Sequence, residues 1–560
     1  MPIKLSKAEQ EFRKPLIAHV DAKAINLDRM LVNLFMLIKH NGQRPIANKS
    51  RGDVKLPTLY DRLVRDQHYQ QGLDAYPDVI QKWLASDLVD MVYRGVQGKE
   101  AVAAPMPLNL DAYKLRNVKH TRDFNSSDQA YSLLRYGDPN IIGRLRECFG
   151  DEENVVPGSL DMNTLVVKRL LSGTDLNDIT STDSREPLAP PLSLAAAHLL
   201  ANDVQRLLAY QGMIPRHVLL DYLKIILGMH MGLYMLRLFA LLPGWVKARQ
   251  IGGECEYCQG LSKDDPLAPC LYKPLLFVDM GDDYKSTAAE LSQASVRLHF
   301  ARINDYVKAV FTVNQLLFYL NNDYKRTGPQ ASIEEALATY RNPPGDFDPM
   351  FKIRVNQLFQ ELEKQQQEAE HQTNSARKQM KEQSQWSEID AIRTMNLFSP
   401  FETFIEVVAY IRTPFHQRYH VELLDSLFQK NSDGGLLRSG RARNNARRFH
   451  IGSRLLEVLV QIAVLEQDGD NGYRSRTILI DELVSWLLQR YGLVINGQDV
   501  PEIAKNDGVR ELSAYKDNLF ALKDRLREIG FYTDLSDAYN AQTIRPRYSL
   551  EGVNDHQYRK

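Results

Sequence analysis

Residues 218–243 set the first condition on this fold, being apolar almost throughout and broken only by Asp221, Lys224, His230 and Arg237. A bilayer would penalise the charged groups by roughly 2.5–3.5 kcal/mol each near its centre. The run therefore predicts a buried helix and not a membrane span, and a helix apolar on every side must be wrapped by others. Suitable wrapping elements follow from apolar spacing of three and four residues at 24–40, 79–93, 193–210, 286–321 and 401–412. Strand-like runs are few: LLFVD at 275–279, and the neighbourhoods of Tyr532 and Ile544. The expected class is mainly α, without the strand–helix alternation of a dinucleotide-binding sheet.

At 560 residues the chain exceeds one ordinary core, and composition shifts suggest where it divides. Residues 1–175 are expected to form a helical N-terminal domain. The stretch 174–193 (TDLNDITSTDSREPLAPPLS) is a connection, since Pro187, Pro190 and Pro191 each cost a helix its hydrogen bonds. A helical central domain follows at 192–345, with a cysteine-bearing insertion at 252–272. Residues 361–390 form a polar linker, Gln-, Glu- and Lys-rich over 361–385 as a solvated helix or a flexible tether. A helical connector at 391–435 leads to a C-terminal domain at 438–560.

The insertion GGECEYCQGLSKDDPLAPC carries Cys255, Cys258 and Cys270. A C-x2-C pair on a glycine-flanked turn offers two thiolates to one face of a tetrahedral ion, so structural Zn²⁺ is expected. No second pair supplies the fourth ligand. His230 is the first candidate, followed by Cys148, His299 and Asp279; ordinary reduced thiols in a loop are the plain alternative. FVDMGDD places Asp279, Asp282 and Asp283 at a strand end, as a Mg²⁺-dependent nuclease would require. Asp282 or Asp283 would equally serve as the N-cap of the next helix. His416 and His420 are spaced i, i+4, but Gln417 stands where H-E-x-x-H has its glutamate, so helix-surface histidines are expected. No phosphate-cradling P-loop, nucleophile elbow or G-x-G-x-x-G occurs, and no small-molecule substrate is evident.

Three apolar stripes mark the last domain: Leu455, Leu459, Ile462 and Ala463; Leu479, Leu483, Trp486 and Leu487; Leu519, Leu522, Leu526 and Ile529. Two strand-like pieces, 531–535 and 543–550, follow. Three helices and a hairpin predict a winged-helix-like α+β unit. On its third helix Lys516, Lys523 and Arg527 share about 40° of arc at 100° per residue. With Arg545 and Arg547 in the wing, and Arg441, Arg443, Arg447 and Arg448 before the first helix, they are candidate contacts to duplex DNA. Lys+Arg and Asp+Glu balance at 70 each, so only such local patches can attract a polyanion. Asp517, Asp524, Glu528, Asp534 and Asp537 dilute this one, which keeps a protein-docking role open.

The run RRFHIGSRLLEVLVQIAVL at 447–465, then TILIDELVSWLLQRYGLVI and the terminal unit, resembles an accessory component of bacterial anti-phage, methylation-associated defence systems. Components of DNA-modification-dependent restriction are similar as well. The likeness covers about the last 120 residues and the cysteine insertion. It implies a non-catalytic subunit beside a DNA methyltransferase and separate effectors, and transfers no catalytic residue. The sequence thus predicts a cytoplasmic DNA-binding or adaptor subunit, with a nuclease using Asp279, Asp282 and Asp283 or a winged-helix transcriptional regulator as alternatives. The charged N-terminal segment, with Lys4, Lys7, Glu9, Glu11, Arg13 and Lys14, lacks the apolar stretch of a secretory signal.

Overall fold

A computed structural model describes residues 5–47, 54–65, 72, 74–96, 98–150, 161–171, 179–182, 188–252, 273–323, 329–370, 386–395, 397–440, 446–469, 472–500, 508–532 and 543–550. Its centre is the helix Arg216–Ala248, with 94% of its most apolar window buried. Length and apolarity alone would let it span a membrane, but here protein occupies its surroundings. The helices Thr287–Phe318, Leu194–Leu208, Pro400–Leu427 and Leu27–Lys39 pack against it. Its charged residues are accommodated individually: Lys224 pairs with Asp28 at 3.0 Å, and Arg237 donates to the Ser193 hydroxyl at 2.8 Å.

Two glycines allow the closest approach. A Cβ on Gly228 would lie 2.7 Å from the Leu427 carbonyl oxygen, and one on Gly232 would lie 2.4 Å from the Phe428 ring. Only a residue without a side chain lets the end of the Pro400–Leu427 helix sit this near. That helix also continues through Pro414, well beyond the expected 401–412, with Ser399 and Glu402 closing a capping box at its start.

The described chain is mainly helical, with short two-stranded sheets. Residues 79–93 divide differently from expectation. The helix Pro77–Trp83 gives way to a π turn at Leu84–Leu88, and the strand Val89–Val92 pairs antiparallel with Ala101–Pro105. Inside the presumed connection at 174–193, Ile179–Thr182 pairs with Pro45–Ala47 as a strand. The helix Phe347–Glu370 carries the polar stretch as far as Glu370, with Leu362 buried; 371–385 lie outside the described residues.

The C-terminal segment contains the expected helices, at Ser453–Ala463, Ile480–Tyr491 and Val509–Glu528. Its first and second helices are joined by a local hairpin, Leu465–Asp468 with Gly472–Ser475, while of the hairpin expected at 531–550, residues 533–542 with Asp534 and Asp537 lie outside the described residues. The strand Thr543–Ile544 pairs antiparallel with Ile478–Leu479, whereas Phe531 and Tyr532 are buried without forming a strand. Leu493–Val494 runs parallel to Leu276–Phe277, joining the C-terminal segment to the LLFVD run. Among the described residues, the principal core cluster draws on residues from Leu5 to Ile544.

Candidate functional site

The helix Val509–Glu528 is anchored by Asn518, with the ion pairs Arg510–Glu290 and Arg525–Asp282 beside it. Asn518 donates from Nδ2 to the carbonyls of Val278 and Ile495, each at 2.8 Å, and its Oδ1 accepts from the Met280 amide at 2.7 Å. The side chain thus spans both parallel strands. With Ala514, Tyr515, Leu522 and Leu526 it forms the helix's buried face.

Taking 100° per residue, Val509, Leu512, Lys516, Phe520, Lys523 and Arg527 fall within about 80° of arc on another face. Val509 is 86%, Leu512 40% and Phe520 51% exposed. The ammonium groups of Lys516 and Lys523 lie 5.9 and 5.4 Å from the Phe520 ring centroid. Arg527 reaches Asp524 at 2.7 Å and lies over Tyr532. Asp517, Asp524 and Glu528 occupy the adjoining arc about 60–100° from Val509, where Arg510 also falls, while Glu511 and Arg525 lie further round.

On the acidic side, a cleft of about 480 Å³ is lined by Asp279, Asp282, Asp283 and Asp517 together with Ser286, Arg510 and Ser513. Three of these carboxylates, Asp279, Asp282 and Asp283, are engaged. Asp279 is buried against Arg448 and accepts from the Gly281 amide at 2.9 Å. Burial lifts its carboxyl above the ordinary value, partly offset by Arg448. Burial would also raise Asp282, but its Arg438 hydrogen bond and the charges of Arg525 and Arg438 hold it lower. Asp283 accepts from the Lys285 amide at 2.9 Å, while Ser286, and neither aspartate, is the N-cap of Thr287–Phe318. Among the described residues, no three His, Cys, Asp or Glu side chains converge as metal ligands. The three carboxylates proposed for a nuclease are thus engaged in ion pairs and turns.

Several cations expected to meet phosphate have internal tasks. Arg448 is fully buried, donating to the carbonyls of Asp283 (3.0 Å) and Gly281 (3.2 Å) as well as to Asp279, and cannot reach DNA from there. Arg447 grips Asp425 through two hydrogen bonds, at 2.7 and 2.8 Å. Arg547 pairs with Glu457 and donates to the Ile529 carbonyl. Arg545 stays at the edge, its amide donating to Phe531. Arg441 and Arg443 lie outside the described residues. His450, missed in the sequence, donates from Nδ1 to the Asp279 carbonyl at 2.7 Å. Burial lowers its imidazole to about 4.

Cys255, Cys258 and Cys270 also lie outside the described residues. Their candidate partner His230 is engaged, with Nε2 2.7 Å from Asp203. Asp203 further accepts from Arg490 and, at 2.6 Å, from Tyr491. Burial alone would raise that carboxyl, but Arg490 and His230 hold it well below the usual range. The other candidates have their own settings: Cys148 is buried, its thiol pushed up to about 12, and His299 bonds the Leu275 carbonyl. His416 and His420 are core residues and not the surface pair expected, with Phe12 stacked on His416 at 3.9 Å.

These features define a mainly helical scaffold whose helix Val509–Glu528 presents a basic and aromatic stripe. The family described as methylation-associated defense system protein MAD7 matches residues 7–548, nearly the whole chain. The protein belongs to that family and is a component of a methylation-associated defence system. No curated protein and no solved structure matches it.

Proposed function

We propose that this chain is a non-catalytic, DNA-engaging adaptor of its defence system, with Val509–Glu528 as the contacting helix of a winged-helix-like C-terminal unit. The observation that carries the reading is the stripe of Lys516, Lys523 and Arg527 on that helix, whose arc of about 80° holds no carboxylate. A polyanion would meet a locally positive surface despite a neutral chain. The engagement of Asp279, Asp282 and Asp283 favours this over the nuclease alternative. In full-length protein, Lys523→Glu with Arg527→Glu should abolish DNA binding at low salt and leave the circular dichroism spectrum unchanged. Retained affinity would remove the stripe from the account.

A structural zinc on Cys255, Cys258 and Cys270 remains part of the proposal, with its fourth ligand left open because His230 is committed to Asp203. Elemental analysis should find about one zinc per chain, lost in Cys255→Ser with Cys258→Ser. Metal-free native protein would end the idea.

A further inference from the structure

Phe520 is half-exposed at the edge of the basic stripe nearest the acidic one, between Lys516 and Lys523 on one side and Asp517 and Asp524 on the other, all about a turn away. A single surface phenylalanine needs no explanation. This one has the ammonium groups of Lys516 and Lys523 at 5.9 and 5.4 Å from its ring centroid. Against a duplex groove a phenyl ring offers only apolar contact to a thymine methyl, with no hydrogen bond to a base edge. In a duplex the base faces are stacked on one another; an unpaired base leaves its π-face available to an aromatic ring.

We infer that the stripe takes single-stranded DNA, with one unstacked base lying on Phe520 and the flanking phosphates held by Lys516 and Lys523. The inference rests on the DNA-engaging reading above and specifies which form of DNA the helix accepts. The two lysines are seven positions apart, about 10 Å along the helix axis, so they straddle the ring. In the unbound protein their ammonium groups face the ring; when a base stacks there, they exchange that cation–π contact for a charge-assisted one to phosphate. Arg527, already shared with Asp524 and Tyr532, extends the basic track by one turn.

The test uses full-length protein and a labelled mixed-sequence oligonucleotide of about 20 nucleotides, single-stranded or annealed to its complement. Fluorescence anisotropy should show the single strand binding about ten-fold or more tighter than the duplex. Phe520→Leu, which keeps an apolar side chain of similar exposure, should weaken single-strand binding by about ten-fold without changing the melting temperature. Phe520→Trp should retain affinity, and its added emission should be quenched as the oligonucleotide saturates. If the duplex binds as well as the single strand and Phe520→Leu binds both like wild type, the stacking inference is overturned while the DNA-engaging reading survives. If neither form binds at low salt, both fall and the stripe is a surface for a protein partner.

Discussion

His416 illustrates how far a residue's environment can depart from its local sequence. Its ring is sandwiched in the core, its Nε2 has no hydrogen-bond partner, and burial lowers its imidazole to about 3. Burial likewise holds His299, His420 and His450 near 4. A histidine whose folded value lies below its unfolded value of about 6.5 binds a proton more readily once the chain opens. Its contribution to stability is therefore complete above about pH 6.5 and is lost as pH falls toward the folded value. Each such group adds at most about 1.4 kcal/mol per pH unit across that window. His416→Phe keeps the stack on Phe12 and removes one titration. It should be at least as stable as wild type at pH 7 and lose stability less steeply between about pH 6.5 and 4, as measured by urea denaturation. An unchanged slope would show that His416 already titrates normally in the fold. Arg448 makes the converse point: it sits in a basic run that resembles a phosphate contact, yet Asp279, far away in sequence, draws it inside.

At the scale of elements, the helices were the most legible feature because each carries its own apolar stripe. Residues 24–40, 193–210 and 286–321 became Leu27–Lys39, Leu194–Leu208 and Thr287–Phe318. Strand partners were hidden. LLFVD was visible as a strand, but its mate Leu493–Val494 is specified by tertiary packing and by Asn518, which no local spacing reveals. The basic stripe was partly visible: spacing grouped Lys516, Lys523 and Arg527, but exposure was needed to add Phe520. The central helix offers a direct test of packing against propensity. Gly232→Ala would gain up to about 1 kcal/mol from helix propensity, yet its Cβ meets the Phe428 ring at 2.4 Å. Overpacking costs typically about 1–3 kcal/mol, so the variant should be less stable by chemical denaturation. A stabilised variant would mean the Pro400–Leu427 helix can move away without penalty.

For the whole molecule, what matters is how the stripe is carried. The parallel strand pair and the buried Asp203–Arg490 contact join the C-terminal segment to the central helices, and the core runs through both. The helix Val509–Glu528 is therefore anchored to the same core, with Leu522 and Leu526 buried in it. Such a mount suits an adaptor, which must hold a ligand in fixed relation to partner subunits without transforming it. The salt dependence of DNA affinity tests this account most directly, because the chain's overall charge is balanced and only a local track can release counterions. The logarithm of the association constant for a single-stranded oligonucleotide, plotted against the logarithm of salt concentration, should fall with a slope of about −2, near −0.7 for each of Lys516, Lys523 and Arg527. The slope of Lys516→Ala should be shallower by about 0.7. A salt-independent affinity, or an unaltered slope in that variant, would contradict the claim that this helix is where the protein meets DNA.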